Sequence, residues 1–237
     1  LVVDGHPVAV LMRTPGNDEE LAAGFLWTEG IISSQEEIVR IDLEAKENHA
    51  LVFLADGVEV DFGRLTRHLF SASSCGLCGK ATIEAITSLH EPVGMGPVFS
   101  ESVLMKAPTM MRAAQATFEE TGGLHASAVF DRQGQLLTLR EDVGRHNALD
   151  KALGWALMNS VDLSNSFVLM SGRLSFELMQ KALAGRIPVV AGISAPSSLA
   201  VEFARESNQT LVGFLRPPRF NIYAGSERVG EQQEGCE

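Results

Sequence analysis

The chain has 237 residues, of which 45% are hydrophobic and 21% are charged. This composition supports a buried core and excludes a disordered chain. With 19 Lys and Arg against 30 Asp and Glu, the net charge of −11 argues against non-specific binding to nucleic acid or to an anionic membrane. No apolar run approaches the roughly 20 residues of a membrane-spanning helix, and three cysteines are too few for a disulfide framework. We therefore expect a globular cytoplasmic protein without nucleic-acid or membrane partners.

The first part of the chain, residues 1–97, predicts a smaller α+β subdomain. Asn17 precedes three acidic residues, a pattern typical of a helix start because the negative charges meet the positive end of the helix dipole. Residues 51–55 and 58–62 flank an Asp-Gly pair, which predicts a β-hairpin. Residues 91–97 are rich in Pro and Gly and predict a linker to the second domain.

A pair of cysteines lies in a segment of small residues. Residues 71–80 read Ser-Ala-Ser-Ser-Cys-Gly-Leu-Cys-Gly-Lys, which predicts an exposed, mobile loop before a helix. Cys75 and Cys78, which are separated by two residues, can chelate a metal, form a redox disulfide or carry sulfur as a persulfide. The following helix start and Lys80 favour the thiolate, whereas buried, inert cysteines are disfavoured by the Ser and Gly around them. No second Cys-x-x-Cys pair completes a structural zinc site, and Cys236 is expected to be a bystander in a frayed tail.

The second part, residues 98–237, predicts an α/β domain. Strands and helices alternate as in βαβ units, which predicts a mixed, mainly parallel sheet covered by helices. Pro108 is expected at a helix start, and Gly122 with Gly123 just past its end. The remaining predicted elements are strands 126–130, 135–140, 167–170, 188–193, 210–215 and 220–223 and helices 147–158, 175–184 and 197–205.

A histidine follows the Gly-Gly pair at the start of a predicted strand. Zinc deaminases use a His-x-Glu motif whose glutamate is the general acid and base, with a Cys-x-x-Cys pair downstream. In this chain Ser127 stands two residues after His125, where that glutamate would be, and the cysteine pair lies upstream. Deaminase chemistry is therefore disfavoured, and His125 is more typical of a structural histidine.

Polar clusters follow several predicted strands. In an open α/β sheet, ligands bind outside the carboxyl ends of the strands, where helix N-termini present N–H groups to anions. Turn and cap chemistry explains any single cluster, but four clusters at one edge favour a phosphate-bearing ligand. No G-x-G-x-x-G motif or P-loop lysine is present, which disfavours a standard dinucleotide or ATP site. The clusters are residues 140–147, 171–173, 194–198 and 216–219, in which Arg145, Arg173, Arg216 and Arg219 would concentrate positive charge.

Together these motifs resemble the FdhD family, the formate dehydrogenase accessory sulfurtransferases. The resemblance covers nearly the whole chain. A Cys-x-x-Cys pair alone is a weak signal, but together with the other motifs in this order it is specific for the family. The matching segments are residues 24–31, 75–79, 123–128, 140–151, 171–177, 194–196 and 212–223.

The resemblance implies a cytidine-deaminase-like fold that lacks the deaminase zinc centre. It also implies that sulfur is taken as a persulfide from a cysteine desulfurase and passed to the bis-molybdopterin guanine dinucleotide form of the molybdenum cofactor, which activates formate dehydrogenase. In the family the first cysteine of the loop carries the persulfide, and this cysteine corresponds to Cys75. Cys78 would be the second thiol, which receives or releases the sulfur. A homodimer is likewise expected.

The family's cofactor-binding segment also has a counterpart in this chain. The family usually has a Gly between two basic residues, whereas this chain has two prolines there, so the loop geometry is expected to differ. The cofactor is a bound substrate, and no resident metal is expected. Two alternatives remain: a chaperone that delivers the cofactor without catalysis, and a zinc deaminase-like hydrolase. The segment consists of Phe214, Leu215, Arg216, Pro217, Pro218 and Arg219.

Overall fold

A computed structural model describes residues 1–62 and 90–230 of the chain. In these ranges it contains a four-stranded sheet, a six-stranded sheet and six α-helices, none of them long and apolar enough to cross a membrane. The elements are β1 (Val2–Val3), β2 (His6–Pro7), α1 (Asp18–Thr28), β3 (Ile38–Asp42), β4 (Leu51–Leu54), α2 (Glu101–Ala114), α3 (Ala116–Thr121), β5 (His125–Asp131), β6 (Leu136–Asp142), α4 (Arg145–Met158), β7 (Ser166–Met170), α5 (Phe176–Ala184), β8 (Val189–Gly192), α6 (Ser198–Glu206), β9 (Thr210–Arg216) and β10 (Arg219–Ala224).

The smaller sheet has the strand order β2-β1-β4-β3. The predicted start of α1 after Asn17 is confirmed, but the predicted hairpin is wrong. β4 pairs with β1 on one side and with β3 on the other, so neither of its edges is available to residues 58–62. Val60 instead packs its side chain against the core formed by α1 and this sheet. An Asp-Gly pair therefore marks a turn here without a second strand.

Two glycines bring α1 and α4 into backbone contact. A Cβ on Gly24 would lie 1.8 Å from the carbonyl oxygen of Asp150, and a Cβ on Gly154 would lie 1.8 Å from that of Glu20. No side chain fits at either position, so these glycines permit the close crossing of the two helices. The crossing attaches the first part of the chain to the helix that covers the larger sheet.

The larger sheet has the strand order β10-β9-β8-β7-β5-β6. The mixed sheet is confirmed, but "mainly parallel" is wrong: β7, β8 and β9 are parallel, whereas β5 is antiparallel to β6 and β7, and β10 to β9. Short turns join β5 to β6 and β9 to β10, and a tight turn can connect only antiparallel strands. The cytidine-deaminase-like description remains a prediction.

Helices cover both faces of this sheet. Buried residues of α4, α5 and α6 form one core with Val129 and Met170, and residues of α2 form the other core with Ala126 and Ala128. Pro108 lies inside α2 and not at its start, so that prediction is wrong. Ser100 begins the helix, because its hydroxyl accepts a hydrogen bond from the backbone N–H of Val103.

The predicted linker is held against the larger sheet. Arg228 is 1% exposed and donates from Nε to the carbonyl of Met95 at 2.6 Å and from Nη2 to that of Gly94 at 2.5 Å. Val93 is buried in the core beneath α4, α5 and α6. The segment is therefore anchored along its length, and the division of the chain at residue 97 remains a prediction.

Candidate functional site

The four polar clusters lie at one edge of the larger sheet, as the sequence predicted. β5 runs against both β6 and β7, so it begins where β6 to β9 end, with His125 opposite Asp142 and Ser127 opposite Met170. We call this side the carboxyl edge. It comprises His125 and residues 140–147, 171–173, 194–198 and 216–219.

Hydrogen bonds join neighbouring loops along the carboxyl edge. Ser171 exchanges two bonds with Ala126: its hydroxyl accepts from the backbone N–H of Ala126 at 2.9 Å, and its own N–H donates to the Ala126 carbonyl at 3.0 Å. The N–H of Leu174 donates to the carbonyl of Ala195 at 3.1 Å. Arg216 donates from Nε to the carbonyl of Ile193 at 2.9 Å. The loops thus form a connected platform that positions side chains at the edge.

The first turn of α4 opens onto this platform. Gly144 is the N-cap residue and supplies no side-chain acceptor for the first N–H groups of the helix. Gly172 packs beside this turn: a Cβ there would lie 3.2 Å from Nδ1 of His125 and 3.6 Å from Cδ of Arg145. The glycine therefore lets His125 and Arg145 approach the helix start together.

Three buried polar atoms around this turn have no hydrogen-bond partner among residues 1–62 and 90–230: Nε of Arg145, Nε2 of His146 and Oγ of Ser127. Ser127 is 1% exposed and lies on the α4 side of the sheet, because it pairs with Met170 of that core. Buried polar groups are nearly always paired, so an unpaired group marks a place where a ligand or water completes the set.

Both histidines at the helix start are held neutral. Burial, followed by the nearby charges of Arg145 and Lys181, lowers the pKa of His146 to about 4. Burial and Arg145 also lower the pKa of His125. At neutral pH each imidazole therefore keeps one N–H donor and one acceptor nitrogen. A negatively charged ligand would raise both pKa values, because it stabilises the protonated form.

Four arginines of the carboxyl edge have no carboxylate partner within 4 Å in the part of the chain that the structure describes. The fifth, Arg140, forms an ion pair with Glu20, and Asp142 at the same edge pairs with Lys151 at 2.8 Å. Cations without a carboxylate partner on a chain of net charge −11 favour a local anion site. These four residues are Arg145, Arg173, Arg216 and Arg219.

The predicted cofactor segment forms the end of β9, the turn and the start of β10. Phe214 is 40% exposed and adopts a φ of +51°, a strained conformation for an aromatic residue. Leu215 is fully buried in the core beneath α2, so only its backbone is available to a ligand. Arg216 and Arg219 are exposed and lie opposite each other in the β9–β10 pair. The exposed prolines 217 and 218 make the turn between them.

Two clefts flank this edge, and sequence reasoning missed the first. It has a volume of about 580 Å³ and lies between α2, α3 and the ends of β5, β7 and β8, with His125 and Ser171 in its lining. The second, of about 640 Å³, includes Arg219 and Tyr223. Nine of the eleven residues that line the first cleft lie between positions 108 and 125, but Ser171 and Ile193 follow β7 and β8, so the cleft forms only when these segments pack together.

Cys75, Cys78 and Cys236 lie outside the residues that the structure describes. Within residues 1–62 and 90–230, no group of three His, Cys, Asp or Glu side chains is arranged to hold a metal ion. The features of this part of the chain that suit an anion are the open start of α4, donors without a partner among the described residues, and arginines on a single edge.

Comparisons with known proteins agree on one family. The model of the FdhD/NarQ family matches residues 1–230. The sulfur carrier protein FdhD of Streptomyces coelicolor is 47% identical over 239 residues, covering 96% of this chain and 85% of that protein. The protein of the same name from Thermoplasma acidophilum is 43% identical over 225 residues, covering 93% and 78%. The crystal structure of a formate dehydrogenase accessory protein from Desulfotalea psychrophila superposes with a TM-score of 0.76 at 26% identity, covering 96% and 86%. The chain belongs to the FdhD/NarQ family.

Proposed function

We propose that this protein is a sulfur carrier for formate dehydrogenase. In this proposal Cys75 accepts sulfur as a persulfide from a cysteine desulfurase, and the sulfur passes to the bis-molybdopterin guanine dinucleotide cofactor held at the carboxyl edge. Several relatives, one of them 47% identical to the chain, are named sulfur carrier protein FdhD, and that name supports the sulfur chemistry. The observation that carries the cofactor role is the set of unpaired arginines and donors at the carboxyl edge.

The cofactor's charge suits this edge. A guanine dinucleotide contains a pyrophosphate, which is anionic and accepts several hydrogen bonds. The N–H groups at the start of α4 and the guanidinium of Arg145 can donate to one part of it, and Arg216 and Arg219 to another. Nε of Arg216 donates a hydrogen bond to the carbonyl of Ile193, and the two terminal nitrogens of its guanidinium can donate to a ligand.

The proposed sulfur transfer is a pair of thiol–disulfide exchange steps. The Cys75 thiolate attacks the terminal sulfur of the donor persulfide, the donor S–S bond breaks, and the donor cysteine leaves as a thiolate. The Cys78 thiolate then attacks the inner sulfur of the Cys75 persulfide. The terminal sulfur leaves, takes up a proton and reaches the cofactor as hydrosulfide. A Cys75–Cys78 disulfide remains, and a dithiol reductant returns it to two thiols.

Labelled sulfur tests the proposal. Incubation with a cysteine desulfurase and ³⁵S-cysteine should label the wild-type chain with a label that dithiothreitol removes. Cys75→Ser should abolish the label, whereas Cys236→Ser, the matched control, should keep it. Cys78→Ser should accept the label but fail to release it to the cofactor. A Cys75→Ser chain that is labelled like the wild type would overturn the assignment.

Complementation separates sulfur transfer from cofactor delivery. In cells that lack the endogenous protein, Cys75→Ala should leave formate dehydrogenase inactive although the variant still binds the cofactor. Full activity with Cys75→Ala would instead support the chaperone alternative, in which the carboxyl edge acts without the thiol. The expected homodimer remains a prediction, and size-exclusion chromatography with light scattering tests it.

A further inference from the structure

A buried hydroxyl of β5 faces the first turn of α4. Side chains alternate along a strand, and Ala126 and Ala128 belong to the core beneath α2, whereas Val129 belongs to the core beneath α4. Ser127 therefore points toward α4. It is 1% exposed, and its hydroxyl has no hydrogen-bond partner among the described residues. A buried hydroxyl without a partner is costly, because it has lost its bonds to water.

The packing of α4 on β5 places Arg145 opposite Ser127. Val129 and Leu149 belong to the same core, between the sheet and α4. Arg145 lies one turn before Leu149, about 6 Å along the helix, and Ser127 lies two residues before Val129, about 7 Å along the strand. Both steps lead toward the carboxyl edge, because β5 and α4 begin there. Nε of Arg145 is likewise buried and without a partner in the described part of the chain.

The loop after β7 supports this placement. Met170 pairs with Ser127, and two residues further along the chain a Cβ on Gly172 would lie 3.6 Å from Cδ of Arg145. Gly144, the N-cap residue of α4, supplies no side-chain acceptor to the first N–H groups of the helix. A buried hydroxyl, a buried guanidinium N–H and helix N–H groups thus meet at one place. We call these donors the first-turn site.

The first-turn site suits a compact monoanion better than a phosphate. Ser127 and Arg145 line neither of the two clefts at the carboxyl edge, and their unpaired atoms are buried, which favours a ligand of one heavy atom. Arg145 supplies a positive charge, whereas His125 and His146, whose pKa values are lowered, are neutral at neutral pH. The terminal nitrogens of Arg145 are not among the buried unpaired atoms, so they remain available to a phosphate at the surface.

In the proposed function, one compact monoanion is formed: the hydrosulfide that leaves the Cys75 persulfide. We infer that the first-turn site binds this hydrosulfide before it reaches the cofactor. Oγ of Ser127 and Nε of Arg145 donate hydrogen bonds to the sulfur, and the guanidinium offsets its negative charge. The phosphates of the cofactor lie farther out, against the terminal nitrogens of the same arginine. The inference rests on the proposed function, because that function supplies the hydrosulfide.

Bromide, a monoanion of similar size, probes the site directly. Wild-type crystals soaked in sodium bromide should show an anomalous peak between Oγ of Ser127 and Nε of Arg145, and sodium hydrosulfide added to the soak should remove it. Ser127→Ala should lose the peak. Ser207→Ala, the matched control, removes a buried hydroxyl that donates to the Gln209 amide oxygen at 2.9 Å, and it should keep the peak. Thermal unfolding shows whether each variant is folded.

Sulfur transfer supplies a readout that a purely structural role of Ser127 would not change. The Ser127→Ala chain should accept ³⁵S on Cys75 as the wild type does. Several-fold more of the released label should then appear as free sulfide, trapped with monobromobimane, and correspondingly less on the cofactor. Ser207→Ala should divide the label between sulfide and cofactor as the wild type does.

The outcomes separate this inference from the proposed function. If Cys75 is labelled, three results would overturn the inference alone: no bromide at Ser127, an adventitious ion only, which hydrosulfide does not displace, or a normal division of the label in Ser127→Ala. If Cys75 of the wild type is not labelled, the proposed function fails. The role of the first-turn site in binding hydrosulfide then fails with it, whether or not bromide binds.

Discussion

Two successive turns of α4 differ in whether their charged and polar side chains have partners. In the second turn, the side chain of Lys151 is 1% exposed and lies 2.8 Å from the fully buried carboxylate of Asp142, the last residue of β6. Asp142 also accepts bonds from the backbone N–H groups of Thr14 and Gly144 and from the amide of Asn147. The first turn, by contrast, leaves Nε of Arg145 and Nε2 of His146 buried and unpaired among the described residues.

This contrast separates structural charge from charge kept for a ligand. Buried ions are tolerated when all their hydrogen bonds are made, as they are for Asp142, which secures the segment before α1 to the sheet. Asp150 follows the same rule, with Thr28 at 2.8 Å and Lys181 at 3.1 Å from its Oδ1. An unpaired donor one turn away stabilises nothing within the described fold. The contrast therefore indicates that the first turn of α4 is the place where an anion would bind.

The largest expected effect on stability comes from removing one partner of the buried ion pair. Lys151→Met leaves Asp142 buried without its cation, so we expect the free energy of unfolding to fall by about 3–5 kcal/mol. Urea unfolding at pH 7 measures it. Lys106→Met, at an exposed position of α2 that has no ion pair with any described residue, should change stability by less than about 0.5 kcal/mol. Equal values for the two variants would show that the buried pair is not structural.

The unpaired histidine should produce a smaller, pH-dependent effect. The folded-state pKa of His146 is about 4, below the 6.5 of an ordinary histidine, so the unfolded chain binds the extra proton between these values. Wild-type stability should therefore fall as the pH drops from 7 to 5, by roughly 1–2 kcal/mol from this residue.

His146→Gln should remove that component, since glutamine does not titrate. Unfolding by urea at pH 7 and at pH 5, for the variant and the wild type, isolates the difference. His6→Gln, at an exposed histidine of β2, serves as the control and should keep the wild-type slope. A His146→Gln chain that loses as much stability as the wild type between the two pH values would contradict the assignment.

The smallest expected change in stability is also the most informative. Arg145→Gln should alter the free energy of unfolding by less than about 0.5 kcal/mol, because Nε has no partner to lose among residues 1–62 and 90–230. Its affinity for pyrophosphate should fall about tenfold, as expected for the loss of a charged hydrogen bond to an anion.

Arg228→Gln provides the opposite control. Arg228 holds the segment of Gly94 and Met95 near Pro188, at the other end of β8 from the carboxyl edge. The Arg228→Gln variant should be less stable than the wild type and should bind pyrophosphate with the same affinity. If Arg145→Gln instead destabilised the fold and bound pyrophosphate normally, the two turns of α4 would not differ in role.

Much of the larger sheet could be predicted from the sequence, because its strands are apolar runs between polar turns. β7 is buried at every position, and the sequence located it to within one residue. The sequence failed where long-range pairing decides. β3 became a strand because the edge of β4 was available to it, and α2 continued through Pro108 because the cap at Ser100 lies earlier in the chain.

The candidate site shows the same division. The four clusters could be placed together because the ends of parallel strands share an edge, and β6 joins them through two antiparallel pairings. Ser127 entered the sequence argument only as the position of a missing glutamate. It matters because its hydroxyl is buried without a partner among the described residues, and burial of a single polar side chain leaves no periodic pattern in the sequence.

By itself, the sequence determined which elements and groups this protein contains. These are an acidic chain, one Cys-x-x-Cys pair, an alternation of strands and helices, and arginines after the strands. Only the tertiary structure decided which of its charges are satisfied. Lys151 and Arg145 are both cations on α4, and within the described part of the chain Lys151 pairs with Asp142 whereas Nε of Arg145 has no partner. The physical reason is that a hydrogen bond or ion pair depends on distances of a few ångströms between residues far apart in the chain, and folding alone sets those distances.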